Sequence, residues 1–191
     1  MASFTMHLAI AKLYLKSHKE NEEEFLKATI DVDNVPDKAI THYSTNTNEE
    51  NAKKWLESKV GIKEYVNEHS IYSSYDRGYF LHLLADYYLY NCYFDDNMLK
   101  NTPNKVFRKH LYQDYDVLNK YLIEKYDLER PENLDKKYFE IHEGTPKMMT
   151  YESIDEYIEF ISKLNIDEIY EKINNSEDIL YLYKRKEEVI C

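Results

Sequence analysis

Three glycines and four prolines in 191 residues are too few turn formers for a sheet protein built from hairpins, so the chain is expected to be helical. Two cysteines, Cys92 and Cys191, do not make a disulfide framework. No apolar run approaches the roughly 20 residues that cross a bilayer, so no membrane span is expected. Basic residues are in deficit, 25 against 36 acidic ones, and the net charge of −11 counts against nucleic-acid polymers and anionic membranes as main partners. A local basic pocket is still compatible with that balance. The first residues, MASFTMHLAIAKLYLKSHK, lack a basic leader, and His7 and Lys12 interrupt their apolar positions. That is not the pattern of a signal peptide, and a cytoplasmic protein is the expectation. There is no internal repeat and no low-complexity segment.

What the chain does have is aromatic mass, with twenty tyrosines, and a length that suits one domain over residues 1–191. The stretch from Ser73 to Phe94 organises it. From Tyr79 to Phe94 the residues are apolar or aromatic almost all round, the mark of a helix at the centre of a domain. The expected fold is therefore all-α, a multi-helix bundle around a central buried helix at about residues 75–93. His82 and Asp86 interrupt that helix, four residues apart and so on one face. Buried without compensation they would be costly, so each needs a partner. A metal ion would serve, and so would a self-satisfied hydrogen-bonded pair. Gly78, one turn earlier on the same face, leaves room for a bulky group to approach.

Taken in order, residues 4–18 predict a helix capped by Ser3 or Thr5, with Phe4, Leu8, Ala11 and Leu15 as its apolar stripe. His7 lies beside that stripe, facing the core or bordering it; a histidine there commonly bonds a carbonyl. His18, among charged neighbours, is expected in solvent. Residues 21–30 form a second helix opening on three glutamates, which suit a helix N-terminus. It leads into the acidic loop Asp31 to Asp37, with Asp33 inside it, and then to His42. Such a loop delivers oxygen and nitrogen ligands to one metal, or is simply a solvated turn.

Residues 46–59 predict an exposed helix anchored by Trp55 and Leu56, capped by Thr47 or Asn48 and closed by Gly61. Residues 62–69 read as a short helix or an extended connection, with His69 at the surface. Ser73 and Asp76 form a capping-box pattern before the central helix. A long helix from Pro103 to Asp127 carries the stripe Phe107, Leu111, Val117, Leu118, Tyr121 and Leu122. His110 and Asp114 fall on or beside it, as a metal or substrate site or as a partly solvated margin. The first 128 residues would hold the site, and 129–150 would form a loop serving as a lid or a plain connection. Residues 151–191 would add scaffold helices, one capped by Ser153 and Glu156, and a final one starting at Ser176 that packs Ile179, Leu180 and Tyr183.

The inward-facing polar set is thus His7, Asp33, His42, His82, Asp86, His110 and Asp114. Imidazoles and carboxylates without thiolate clusters are the ligands of catalytic zinc, or of manganese and iron hydrolytic sites. Four pieces of the first 115 or so residues resemble the zinc-dependent phospholipase C family, whose helical fold is shared with single-strand-specific zinc nucleases. They are Met6-His7-Leu8, the run Ala28 to Asp33, Thr41-His42-Tyr43, and Gly78 to Asp86 with its Gly-Tyr-x-x-His-x-x-x-Asp pattern, the most specific of the four.

The resemblance implies that His42, His82 and Asp86 hold a first metal, that Asp86 bridges toward a second reached by His7, and that Asp33 is a ligand or the general base. It implies a stand-in for the family's later His-x-x-x-Glu at His110 and Asp114. The chain departs from the family pattern at Asn91-Cys92, where a further histidine would stand. The expected activity is metal-dependent hydrolysis of a small soluble phosphoester, with one or two divalent ions, zinc first among them. An HD-domain phosphohydrolase would need an adjacent His-Asp dipeptide, and no histidine here precedes an aspartate. The remaining alternative is a non-enzymatic helical protein with a structural metal or buried His/Asp pairs.

Overall fold

The computed structural model describes residues 3–45 and 51–183, and among these the chain is helical with no strand. Helix α1 spans Phe4–Leu15, α2 Glu22–Asp31, α3 Lys38–Thr41, α4 Ala52–Glu57 and α5 Ile62–Glu68. Helix α6 spans Ser74–Tyr88, α7 Asp96–Asn101, α8 Asn104–Tyr126, α9 Tyr151–Ser162 and α10 Ile166–Asn174. None of them is long and apolar enough to cross a membrane.

Local chemistry sets most of the boundaries. Ser3 accepts a hydrogen bond from the Met6 N–H and starts α1, and Asn21 does the same for Glu24 at α2, where three glutamates face the positive end of the helix. Ser73 and Asp76 make the reciprocal capping box of α6. Helix α8 stops where Asp127 turns left-handed, at φ 50°, a conformation that Asp tolerates better than most residues. After Tyr88 the central helix widens into a π-helical turn over Leu89–Tyr93, so the element expected at 75–93 is two helical types end to end.

Helix α6 lies at the centre, with Phe80, Leu81, Leu83, Leu84, Ala85 and Tyr88 all buried. Its most extensive neighbour is α2, while α1 packs across α2, α8 and α9. Gly78 makes the α2–α6 approach possible, because a Cβ there would stand 2.5 Å from the Phe25 carbonyl oxygen. The space expected beside Gly78 for a bulky group is therefore filled by the α2 backbone. Arg77 then ties the start of α6 outward, its guanidinium reaching Glu20 at 2.6 Å and Asp167 of α10 at 2.5 Å.

Other expectations shift. The helix at 46–59 is seen as Ala52–Glu57, capped by Asn51; the caps expected at Thr47 and Asn48 lie outside the described residues. Gly61 precedes α5 rather than closing α4, with the Tyr43 carbonyl oxygen 2.5 Å from where a Cβ would be. Helix α9 begins one turn before Ser153, because Thr150 is the cap and Ser153 its reciprocal partner. No helix starts at Ser176, which sits at φ 61° just after α10. Only a 3₁₀ turn, Leu180–Leu182, follows before residue 184, and the segment 129–150 is irregular apart from a 3₁₀ turn at Lys136–Phe139. His18 is half-buried, stacked on the Tyr14 ring rather than free in solvent.

Candidate metal centre

Four segments deliver side chains to one buried point beside α6. Helix α1 brings His7, the turn after α2 brings Asp33, the end of α3 brings His42, and α6 itself brings His82 and Asp86. All five are 3% exposed or less. Tyr79 of α6 donates to the Thr41 carbonyl at 2.7 Å, and the Thr41 hydroxyl donates to the Val32 carbonyl at 2.8 Å. These two bonds fasten α3 and the Asp33 turn to the central helix, which is why residues distant in sequence meet here.

The tautomers follow from the carbonyls. His82 Nδ1 lies 2.9 Å from the Thr29 carbonyl oxygen, and His42 Nδ1 lies 2.9 Å from that of Lys38. A carbonyl only accepts, so both Nδ1 atoms carry the proton and both Nε2 atoms turn to the cluster. Burial, and after it the neighbouring His7, hold His82 well below the usual imidazole pKa, so its ring is neutral near pH 7 and its Nε2 offers a lone pair.

His42 Nε2 stands 3.2 Å from His82 Nε2 and 3.2 Å from Asp86 Oδ2. It is 3.4 Å from Asp33 Oδ1. His7 stacks face to face on His82, ring centres 3.6 Å apart, with its Nε2 3.4 Å from Asp86 Oδ1, but neither of its nitrogens makes a well-formed hydrogen bond. Burial alone would raise the Asp86 carboxyl. Neighbouring positive charge first, and then the adjacent His42 and His7 rings, outweigh it, and the group is held well below the usual carboxylate range.

Acceptor atoms thus converge in a buried interior, where a positive centre balances them, either a proton on an imidazole or a cation. The donor set fits a cation: His7, Asp33 and His82 form one group, and His42, His82 and Asp86 a second, each with one ligand atom per residue lying within 4.8 Å of the others.

His110 and Asp114 are not brought to this point. His110 is half-buried on α8 and belongs to neither group. Asp114 is fully buried, but its two oxygens accept the backbone N–H groups of Lys147, Met148 and Met149 at 2.7, 2.7 and 3.0 Å. Its lone pairs hold the end of the 129–150 segment against α8. His142 is exposed and far from sealed, ion-paired at 3.6 Å with Glu140.

Two residues at the site escaped the sequence. Lys38 Nζ lies 3.1 Å from Asp33 Oδ1, and the signal for it was its position one helical turn before His42. Tyr115, adjacent to Asp114, is 6% exposed, and its hydroxyl has no hydrogen-bond partner. Burial first, then the charges of Asp86 and other neighbours including Asp33, keep that phenol protonated. Both residues line a cavity of about 150 Å³ that reaches Asp33.

No protein-family model, no curated protein and no solved structure matches the chain.

Proposed function

We propose that this chain is a divalent-metal-dependent hydrolase, a helical relative of the zinc-dependent phospholipases C, that cleaves a small soluble phosphoester. The observation carrying this reading is the meeting of His42 Nε2 and His82 Nε2 at 3.2 Å beside Asp86, with both Nδ1 protons already given to carbonyls. His42, His82 and Asp86 would hold one ion; His7 and Asp33, with His82, are placed to share it or to hold a second. Zinc suits this imidazole and carboxylate set best, with manganese and iron next.

A divalent cation supplies Lewis acidity, which makes water acidic enough to attack near neutral pH and offsets charge on a phosphoryl group. The chain's own residues do the rest. The Thr29 and Lys38 carbonyls fix the two imidazole planes, so the Nε2 atoms need no reorganisation. Asp33 lies at the boundary between the sealed cluster and the cavity, where a carboxylate can take the proton of an attacking water. Lys38 orients that carboxylate through its 3.1 Å ion pair.

Elemental analysis of untagged protein purified without added metal, repeated on Asp86→Ala, tests the site. One or two equivalents of zinc, manganese or iron, lost in the variant, are expected. A phosphoester screen with Asp33→Asn as control tests the chemistry, and that variant should keep the ion held by His42, His82 and Asp86 and lose turnover. Bound metal without turnover on any ester would leave a structural metal; no metal after supplementation would remove the enzyme reading.

A further inference from the structure

The cavity beside Asp33 has a composition that the metal cluster does not explain. Phe4 of α1, Tyr115 of α8 and Tyr138 of the 3₁₀ turn wall it with rings, and Lys38 and Lys137 bring ammonium groups to it. At about 150 Å³ it is comparable to a cavity that admits a benzene-sized molecule, too small for a polymer strand or a lipid. Two carboxylates, Asp33 and Asp116, balance the two lysines, and Asp86 offsets only part of a divalent cation on the adjacent His/Asp cluster, so the region would stay positive. An anion is the ligand that such a field selects, and a phosphoryl dianion is drawn to it more strongly than a monoanion.

The second observation is the Tyr115 hydroxyl. An O–H buried in protein ordinarily has an acceptor, because leaving one unmade forfeits the hydrogen bond it had with water. Tyr115 has none, although it lines the cavity and stands in the field of Asp33 and Asp86. Asn119, which also lines the cavity, is by contrast committed: it accepts from Thr5 and donates to the carbonyls of Tyr138 and Glu140. Tyr115 is the free donor and Lys38 the charge nearest Asp33.

We infer that the cavity is the substrate site, in which the Tyr115 hydroxyl and the Lys38 ammonium hold the dianionic phosphoryl end of a small phosphomonoester beside Asp33. This rests on the metal-hydrolase reading above and names its substrate class. Tyr115 acts as a hydrogen-bond donor to a phosphoryl oxygen, and Lys38 neutralises charge while keeping Asp33 in place. The rings of Phe4 and Tyr138 offer a surface for the alcohol portion.

Zinc-loaded protein titrated calorimetrically with inorganic phosphate, and separately with dimethyl phosphate, tests this, alongside Tyr115→Phe and Lys38→Met with zinc content measured on each. The expected result is phosphate binding, with dimethyl phosphate weaker by at least tenfold because it carries one charge. Tyr115→Phe should weaken phosphate by roughly tenfold, the scale of one hydrogen bond to a charged group, with zinc unchanged. Lys38→Met should do at least as much. Zinc retained with no phosphate binding, or with both variants binding as the wild type does, overturns the substrate site and leaves the metal centre standing. Equal binding of the two anions overturns the monoester class, and failure to take up zinc overturns the metal reading and this one with it.

Discussion

His42 Nε2 and His82 Nε2 face each other across 3.2 Å, each ring held by a carbonyl at its other nitrogen. Two neutral imidazoles so held would place lone pair against lone pair, an arrangement that a cation between them converts from repulsion to ligation.

Removing one half of this pair should remove the ion. His82→Ala is expected to purify without metal, whereas His69→Ala should retain it, because His69 is exposed and bonded to the Tyr43 hydroxyl. Metal retained by the first variant, measured by elemental analysis, would contradict the site as described.

Asp114 offers the opposite test. Its carboxylate satisfies three backbone N–H groups, so Asp114→Ala leaves buried donors without acceptors. A loss of about 2–5 kcal/mol in urea unfolding is expected, at up to a few kcal/mol per charged hydrogen bond with partial relaxation. Metal content should not change in the folded fraction, and a variant that folds as stably as the wild type would contradict this.

Gly78→Ala should be destabilising although alanine is the better helix former. The added Cβ would fall 2.5 Å from the Phe25 carbonyl oxygen, forcing α2 and α6 apart. Overpacking of this kind costs about 1–3 kcal/mol, readable as a lower Tm by calorimetry. An unchanged or raised Tm would mean that the two helices are not so closely apposed.

Acid should weaken the metal-free fold through His82. Its folded pKa lies well below the imidazole value of about 6.5 that the unfolded chain shows. Between those two values the unfolded state binds the extra proton, so stability is full above about pH 6.5 and falls as pH drops toward the folded pKa. Chemical denaturation of metal-free protein at successive pH values should show this slope, and His82→Gln, if folded, should flatten it.

Cys92 should be a slow nucleophile. Burial is the main cause that pushes its thiol up to about 11, so little thiolate exists at pH 8. With Cys191 replaced by serine, alkylation by iodoacetamide is expected only on unfolding; rapid native-state labelling would show that the thiol is open.

Much of the fold was legible because its signals are local. The Ser73 and Asp76 box, the three glutamates of α2 and the stripe of α8 are each decided within a turn or two of helix. The differences arise in two ways, from a competing turn or cap within a few residues and from a non-local contact. Ser176 looked like a cap and became the left-handed stop after α10, and the residue ahead of Ser153 that starts α9 is Thr150. The missing side chain at Gly78 signals room beside it in sequence, but in the fold the α2 backbone occupies that room.

The candidate site divides along the same line. His-x-x-x-Asp spacing at 82 and 86 by itself puts two ionisable groups on one face of an apolar helix, and that much is helix geometry. The same spacing at 110 and 114 is indistinguishable from it in sequence. Tertiary structure alone gave Asp114 three N–H groups from residues 147–149 and gave Asp86 the imidazoles of His7 and His42. The sequence determined an all-α chain with buried polar groups needing partners, because helical periodicity and burial are properties of a segment and its composition. Which partners they found, and that Lys38 and Tyr115 would border a cavity at Asp33, was decided by packing of distant segments, because ligation and hydrogen bonding act over about 3 Å in space whatever the distance along the chain.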